Sequence, residues 1–239
     1  MQTTVVLENV IQEKSNQISQ AIHYPESDGK PMGETSFHVA AILYLLSALQ
    51  AYFRHVADLY VAADMLFYYE EGDPAVYKVP DVFVVKGIEK HDRRTYKLWE
   101  EKRPPSVIFE ITSRSTRWED TGEKKGLYAE LGVREYFLFD PQGEYLKPRL
   151  QGFRLVQGAY QPLPLTKDGT LSSQELNLIL QPEGNLLRLV DPATGKSVPT
   201  LNEALESRAE AEGRAEAAEA ALVQMRAEIE RLKRLAGLN

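Results

Sequence analysis

The sequence contains no cysteine among its 239 residues, and this absence excludes several kinds of site at once. Without cysteine there is no disulfide framework, no thiolate zinc site and no cysteine nucleophile. A cysteine-free composition also fits a reducing compartment. Residues Met1–Ser19 lack the basic stretch followed by an apolar one that marks a secretory signal. We therefore expect a cytoplasmic protein.

Long apolar runs and an excess of positive charge are also missing. The most apolar helical segment, near Phe37–Phe53, is interrupted by His38, Ser47 and Gln50, which makes it too polar for a membrane span. The formal net charge is -7, which argues against a general nucleic-acid coat but does not exclude a local basic groove. Hydrophobic residues make up 43% of the chain, which is enough for one sizeable core.

Aromatic residues and prolines stop well before the C-terminus. The last aromatic residue is Tyr160 and the last proline is Pro199. Residues 201–239 contain 10 alanines, 8 glutamates and 6 lysines or arginines, a helix-forming and well-solvated set. We therefore predict a domain over residues 1–200, followed by a helical or coiled-coil tail over residues 201–239.

The tail carries a short heptad seam. Leu222, Met225, Ile229, Leu232 and Ala236 are spaced alternately three and four residues apart, as at the a and d positions of a coiled coil. Continued towards Leu201, the same register is occupied mainly by alanine. Two interpretations stay open: weak assembly into a homo-oligomer through this helix, or a solvated single helix.

The order of elements before the tail predicts a mixed α/β (α+β) fold. Predicted in order are a helix from Phe37 to Tyr52, strands over Leu59–Tyr69, Val82–Val85 and Val107–Thr112, a helix over Trp118–Leu131 and a strand over Glu135–Phe139. An apolar strand, a helix and a second apolar strand indicate a right-handed crossover in a partly parallel sheet. A hairpin over Phe153–Tyr160 and a strand over Leu186–Val190 predict an antiparallel extension of this domain.

Glu110 is the most informative residue because it interrupts an apolar strand. Strand alternation places Ile108, Glu110 and Thr112 on one face. Burying a carboxylate is costly unless it is paired or binds a cation. Glu110 is therefore a cation ligand or has a structural role. In a structural role it forms a buried salt bridge, or it lies on an edge strand from which its carboxylate reaches water.

Asp81 stands at the beginning of the preceding apolar strand. Asp81 and Glu110 then lie near corresponding ends of two strands that we expect to be neighbours. Two hard oxygen donors suit Mg²⁺, which keeps several of its waters. Such an ion can polarise a phosphodiester and lower the pKa of an attacking water.

The helix after Glu110 presents Asp120, Lys124 and Tyr128 on one side, at intervals of four residues. An acid, an ammonium and a phenol on one helix face can serve phosphoryl chemistry, which needs a cation near the developing charge. From spacing alone we favour the simpler interpretation, a surface Asp–Lys pair that stabilises by ~0.3–0.5 kcal/mol.

The segment Lys86–Lys125 is more basic than the rest of the chain. It contains 11 lysines or arginines and 8 acidic residues. The candidates for phosphate contacts are the cations between the two acidic strands, namely Arg93, Arg94, Lys97, Lys102 and Arg103. A solvated loop of mixed charge is the alternative.

The combined pattern resembles the Uma2 family of restriction-endonuclease-like proteins in the PD-(D/E)XK nuclease superfamily. The resemblance covers roughly Tyr24 to Gln161. It is carried by Pro80–Val85, by the run Val107–Arg117, and by later residues, namely Asp120, Lys124, Tyr128, Gly132, Val133, Glu135, Tyr136, Asp140 and Pro141. It implies a restriction-endonuclease-like α-β-β-β-α-β core, which agrees with the predicted element order.

The resemblance also implies a set of site residues. Asp81 and Glu110 would be metal ligands, with the backbone carbonyl of Ile111 as a third. The superfamily's lysine normally lies two residues after the glutamate, where this chain has Thr112. Lys124 is the candidate for a relocated lysine, and Lys125 is the reserve. Two further carboxylates that could complete the site are Glu34 and Asp64.

The sequence thus predicts an endonuclease that uses Mg²⁺ or Mn²⁺ to hydrolyse DNA. The alternative is a catalytically degenerate nuclease fold that acts as an interaction or scaffolding module through its tail. The same chemistry would also permit cleavage of RNA or of repair intermediates.

Overall fold

The computed structural model of the protein describes residues 22–29 and 34–235. Pro31, expected to end the segment before the first helix, and Ala236, the last residue of the seam, lie outside the described residues. The strands are β1 Leu59–Ala63, β2 Phe67–Tyr68, β3 Tyr77–Lys78, β4 Val82–Lys86, β5 Tyr96–Lys97, β6 Val107–Ile111, β7 Glu135–Phe139, β8 Leu150–Val156, β9 Ala159–Pro162, β10 Leu171–Ser173, β11 Leu178–Glu183 and β12 Leu186–Val190. The α-helices are α1 Ser36–Tyr52, α2 Leu98–Glu101, α3 Lys124–Glu130 and α4 Leu201–Leu235.

The main sheet has six strands in the order β1-β4-β6-β7-β8-β9. β6 and β7 pair in parallel, and all other neighbours in this sheet are antiparallel. The helical segment between β6 and β7 forms the predicted crossover. The α-β-β-β-α-β core is therefore confirmed as α1, β1, β4, β6, α3 and β7, and the predicted hairpin extends it as β8 and β9.

Side-chain alternation divides the core between the two faces of this sheet. Val107, Phe109 and Ile111 of β6 pack in the cluster that contains the buried face of α1. Ile108 of the same strand packs in the opposite cluster, with Tyr128 of α3. Because Glu110 has the parity of Ile108, its side chain points towards the face that α3 covers.

Two smaller sheets surround the main one. β2, β3 and β5 form one, and β10, β11 and β12 form the other, whose inward residues join the core beneath α1. The prediction of one strand from Leu59 to Tyr69 was wrong: the chain breaks after β1, and Asp64 adopts a φ of 48° before β2 begins. Asp64 therefore lies just beyond the first strand, not in it.

The helix predicted over Trp118–Leu131 is present but not regular. Its middle, Glu119–Glu123, is a π-helical turn that runs directly into α3. Gly132 follows α3 with a φ of 83°, the left-handed conformation expected of a C-terminal cap. A π-helical turn widens the helix locally and is often found at functional sites.

α4 is a long helix whose side chains are solvent-exposed from Leu201 to Arg234. Its start is capped: the Glu203 N–H donates to Thr200 Oγ1, and the Thr200 N–H donates to Glu203 Oε2. Glu203 also forms an ion pair of 2.8 Å with Arg188 of β12. Among the described residues, no helix is both long and apolar enough to cross a membrane.

Candidate active site

Asp81 and Glu110 come together because β4 and β6 run antiparallel. Val82 is the register partner of Phe109, so the residue before β4 lies beside the residues that end β6. The Ile111 N–H donates to Asp81 Oδ2 at 2.6 Å, and the Asp81 N–H points at Glu110 Oε2 at 3.4 Å. The predicted proximity of the two carboxylates is confirmed. The amide of Ile111 thus orients the Asp81 carboxylate.

Lys124, at the start of α3, contacts Glu110 from the helix that covers this face of the sheet. Its ammonium lies 2.9 Å from Glu110 Oε2 and 3.0 Å from Asp120 Oδ1. Lys124 is only 7% exposed, and Glu110 and Asp120 are each 1% exposed. The interpretation of Asp120 and Lys124 as a surface pair was therefore wrong. The sequence gives their spacing, but the burial follows from packing of this helix face on the sheet.

Tyr128 completes the surroundings of Glu110. Its hydroxyl donates to Glu110 Oε1 at 3.0 Å, so both carboxylate oxygens of Glu110 have partners. Burial raises the pKa of the Tyr128 phenol, and the nearby Glu110 charge raises it further. Tyr128 therefore stays protonated and acts as a hydrogen-bond donor that fixes the glutamate.

The acidic groups of this cluster outnumber its lysine. Burial raises the pKa of Glu110, with Asp81 and Asp120 adding to the effect while Lys124 opposes it. Burial acts to lower the pKa of Lys124, but the attraction of Glu110, Asp120 and Asp81 outweighs it and the pKa rises. Three carboxylates therefore face one ammonium, and this excess of acidic groups means that Glu110 is readily ionised only when a further cation is close.

This excess and the hard oxygen donors fit a divalent cation. Asp81 and Glu110 are carboxylates, which Mg²⁺ prefers, and the Ile111 carbonyl lies on the same strand end. Within residues 22–29 and 34–235, no three histidine or acidic side chains form a ready metal cage. Two carboxylates are nevertheless sufficient for Mg²⁺, because it dehydrates reluctantly and keeps several waters.

The two secondary carboxylates, Glu34 and Asp64, border the same region. Both line a cavity of about 480 Å³ together with Asp81. Burial raises the pKa of Asp64, and the neighbouring Asp81 charge adds to the rise. The Asp64 N–H donates to the carbonyls of Pro80 and Asp81 at 3.2 Å, which ties the bend after β1 to the start of β4.

His38 is a neighbour of the site that the sequence did not identify. Sequence spacing favours a packing or surface role for it, since the four histidines lack zinc-ligand spacing. In the structure its ring nitrogens lie 3.5 Å from Glu34 and 3.5 Å from Asp81. Burial acts to lower the pKa of His38, but its hydrogen bond to Asp81 and the surrounding carboxylates raise it. Only the three-dimensional approach of α1 to β4 reveals this contact.

Lys125 and Thr112 have different surroundings from Lys124. The Lys125 ammonium lies 3.7 Å from the ring centroid of Phe153, and in the described chain it forms no ion pair. The Thr112 N–H donates to the Phe139 carbonyl at 2.8 Å. The Thr112 hydroxyl is buried and has no hydrogen-bond partner among the described residues. Lys124, and not its reserve, is thus the lysine that meets the carboxylates.

Most of the predicted phosphate-binding cations are already paired. The buried Arg93 guanidinium pairs with Glu101 at 2.6 Å and lies over the Tyr60 ring, so it is already engaged within the protein. Arg94 pairs with Glu26 at 2.8 Å, and Lys97 pairs with Glu100 at 3.0 Å.

The last two candidates of this set are Lys102 and Arg103. Lys102 adopts a left-handed backbone conformation with a φ of 54° directly after α2, and it is exposed. The Arg103 guanidinium packs beside Gly87, just after β4 ends. Asp81 precedes the start of the same strand, so Arg103 lies at the end of β4 away from the carboxylates.

The mixed sheet, its two flanking helices and the buried carboxylate–lysine cluster define a restriction-endonuclease-like α/β protein. The family model described as "Uma2: Putative restriction endonuclease" matches residues 13–183, and the chain belongs to this family.

A crystal structure from Anabaena variabilis, described as "a putative nuclease belonging to DUF820", is similar to this chain. The sequence identity is 15%, the TM-score is 0.46, and the match covers 65% of this chain and 86% of that one. No curated protein matches the chain.

Proposed function

We propose that this protein is a Mg²⁺- or Mn²⁺-dependent endonuclease that hydrolyses phosphodiester bonds of DNA. One observation carries the proposal: the buried Glu110 carboxylate lies beside Asp81 and is held by Lys124 and Tyr128. Membership of a restriction-endonuclease family supports the reaction class. The cysteine-free composition is consistent with a cytoplasmic enzyme.

In this proposal Asp81, Glu110 and the Ile111 carbonyl would hold the divalent ion. The ion would polarise the scissile phosphate and lower the pKa of an attacking water. The Ile111 amide and the Tyr128 hydroxyl keep the two carboxylates in fixed orientations, which avoids reorganisation during the reaction.

Lys124 acts as a cation and not as a base. Its raised pKa keeps the ammonium protonated at neutral pH, so it does not take a proton from water. It balances part of the negative charge of Glu110 and Asp120 and provides positive charge close to the phosphate. The role that the superfamily gives to a lysine at position 112 is thereby supplied from the helix.

Cleavage of supercoiled plasmid DNA in Mg²⁺ or Mn²⁺ tests this proposal. We expect wild type to nick or linearise the plasmid, and Asp81→Asn and Glu110→Gln to lose at least ~100-fold in rate, as removal of transition-state stabilisation does. Glu183→Gln, which changes an exposed carboxylate outside the site, serves as the control. Equal rates for wild type, Asp81→Asn and Glu110→Gln would end the catalytic proposal.

One observation favours a second function, interaction through the tail. The apolar seam of α4, including Leu222 and Ile229, is exposed along a helix that has few contacts with the rest of the described protein. We propose scaffolding as the alternative if the catalytic test fails.

A further inference from the structure

Two arginines and two aromatic residues, of which Arg114 and Trp118 are exposed and the other two half-buried, form one surface next to the candidate site. We name it the arginine–aromatic patch, and it consists of Arg114, Arg117, Trp118 and Tyr145. The Arg117 guanidinium lies 5.0 Å from the Trp118 ring and 5.8 Å from the Tyr145 ring. Trp118 is 75% exposed, more than any other large hydrophobic side chain of the described residues. The indole face is thus open to a planar ligand, with a guanidinium beside it.

The cations of the patch are available to a ligand. Within the described ranges, neither Arg114 nor Arg117 forms an ion pair, unlike Arg93 and Arg94. The buried Nε of Arg117 also lacks a hydrogen-bond partner among those residues. Two guanidinium groups without acidic partners favour an anionic ligand, and guanidinium matches phosphate geometry well.

The patch is continuous with the site through a shallow cavity of about 170 Å³. Arg114, Tyr145 and Thr112 line this cavity, as does His38, whose Nε2 is 3.5 Å from Asp81. Thr112 is 2% exposed, and its hydroxyl has no partner in the described chain. The hydroxyl therefore has an open hydrogen-bonding position, which a phosphate oxygen entering this cavity would fill.

The acidic groups at and beside this cavity, Glu34, Asp140 and Glu144, each have polar partners other than the two arginines. The Asp140 carboxylate accepts hydrogen bonds from four backbone N–H groups, of Gln142, Gly143, Tyr145 and Leu146. Glu34, which also lines the cavity, lies 3.5 Å from His38 Nδ1. Glu144 hydrogen-bonds the Tyr145 hydroxyl and raises the pKa of that phenol.

We infer that the arginine–aromatic patch binds the DNA strand adjacent to the scissile phosphate, with an unstacked base on Trp118. A neighbouring phosphate would contact Thr112 and Arg114. Stacking on an exposed indole requires a base that is free of its duplex neighbours, so the patch selects DNA with a single-stranded segment. This inference rests on the proposed function, and it narrows the substrate from DNA in general to DNA with unpaired nucleotides.

Fluorescence anisotropy without divalent ions tests the inference. The probes are a fluorescein-labelled single strand of about 12 nucleotides and its blunt duplex. We expect wild type to prefer the single strand, and Trp118→Ala to weaken single-strand binding about 10-fold, equivalent to ~1.4 kcal/mol. Trp118→Phe keeps an aromatic face and should stay close to wild type. The plot of log K against log salt has a negative slope, and Arg114→Ala and Arg117→Ala should each reduce the magnitude of that slope by about 1.

Arg214→Ala, on the exposed α4, is the matched control for loss of an arginine. The inference is overturned if wild type binds neither probe, if it prefers the duplex, or if Trp118→Ala binds as wild type does. Because no metal is present and nothing is cleaved, the result is independent of the catalytic proposal. Normal patch binding with no plasmid cleavage would refute the proposed function alone.

Discussion

At the scale of single residues, the central feature is a buried ammonium shared by two buried carboxylates. Lys124 lies within 3.0 Å of both Glu110 and Asp120, and each of the three is largely removed from water. Such a cluster is expensive to bury, and apolar residues of similar volume are often no less stable. The position of the cluster beside Asp81 therefore indicates that these charged groups are buried for function and not for stability.

Replacing Lys124 should be far more costly than replacing its neighbour. Lys124→Met leaves two carboxylates buried without a cation, so we expect a loss of about 3 kcal/mol in the free energy of unfolding. Lys125→Met removes only a half-buried cation–π contact and should cost less than ~1 kcal/mol. Urea denaturation measures both. The double variant Lys124→Met with Glu110→Gln should recover part of the loss, because it removes one of the unpaired charges.

Equal unfolding free energies for Lys124→Met and Lys125→Met would contradict the buried-cluster assignment. The same pair separates the two lysines in cleavage: Lys124→Met should be inactive, whereas Lys125→Met retains the catalytic arrangement.

Tyr128 provides a milder test of the same cluster. Tyr128→Phe removes the donor to Glu110 Oε1, and a hydrogen bond to a charged group contributes about 1.5–3 kcal/mol. Tyr52→Phe is the matched control, since the half-buried Tyr52 hydroxyl has no hydrogen-bond partner among the described residues. Chemical denaturation should show a clear loss of unfolding free energy for Tyr128→Phe and almost none for Tyr52→Phe. A stability unchanged by Tyr128→Phe would mean that the hydroxyl does not fix Glu110.

Sequence reasoning at this scale succeeded where a residue conflicted with its neighbours. Glu110 stands out because a carboxylate interrupts an apolar strand, and Asp81 is its partner by strand position. His38 and Arg117 gave no such signal, because a lone histidine on a helix and an arginine in a charged run are ordinary. Their importance arises from contacts with Asp81, Trp118 and Tyr145 that depend on the folded chain.

At the scale of elements, the apolar strands of the core were predictable and the interruptions were not. β4, β6 and β7 each read as a short continuous apolar run, because both of their faces are buried. The bend at Asp64 and the π-helical turn at Glu119–Glu123 left no comparable pattern. Both lie beside the candidate site, and departures from regular secondary structure are expected at sites where functional side chains must be positioned.

The contact between the main sheet and the β10–β12 sheet depends on a glycine in β8. A Cβ at Gly152 would lie 2.7 Å from Leu171 and 2.8 Å from Phe137, both of which are buried. Gly152→Ala should therefore lower the free energy of unfolding by about 1–3 kcal/mol through overpacking. Gly213→Ala is the control, because no atom lies within 4 Å of its added Cβ and alanine favours the helix.

Thermal unfolding of the two alanine variants measures this difference. A Gly152→Ala protein as stable as wild type would show that the two sheets do not pack as closely as described.

At the scale of the whole molecule, a packed α/β body and an exposed helix of 35 residues make very different contacts. The helix is ~52 Å long at 1.5 Å per residue, and its seam residues are about half exposed. The composition change at residue 201 predicts this contrast, since aromatic residues and proline are absent beyond it. Because the seam residues are exposed, their apolar side chains are free to pack against a second copy of the helix.

We predict that the tail drives weak self-association. Light scattering should give a larger mass for the full chain at high concentration, and a monomer mass for a chain that ends at Pro199. Ile229→Lys, which places a charge in the seam, should return the full chain to a monomer. Monomers for both lengths would show that α4 is not an assembly device.

The most direct test of the whole account is the position of a divalent ion. Crystals of the full chain soaked in Mn²⁺ would be examined by anomalous scattering. We predict an anomalous peak within bonding distance of carboxylate oxygens of both Asp81 and Glu110, and the loss of this peak in Glu110→Gln. A structure saturated with Mn²⁺ that shows no peak between these two carboxylates would contradict the proposed metal-dependent nuclease.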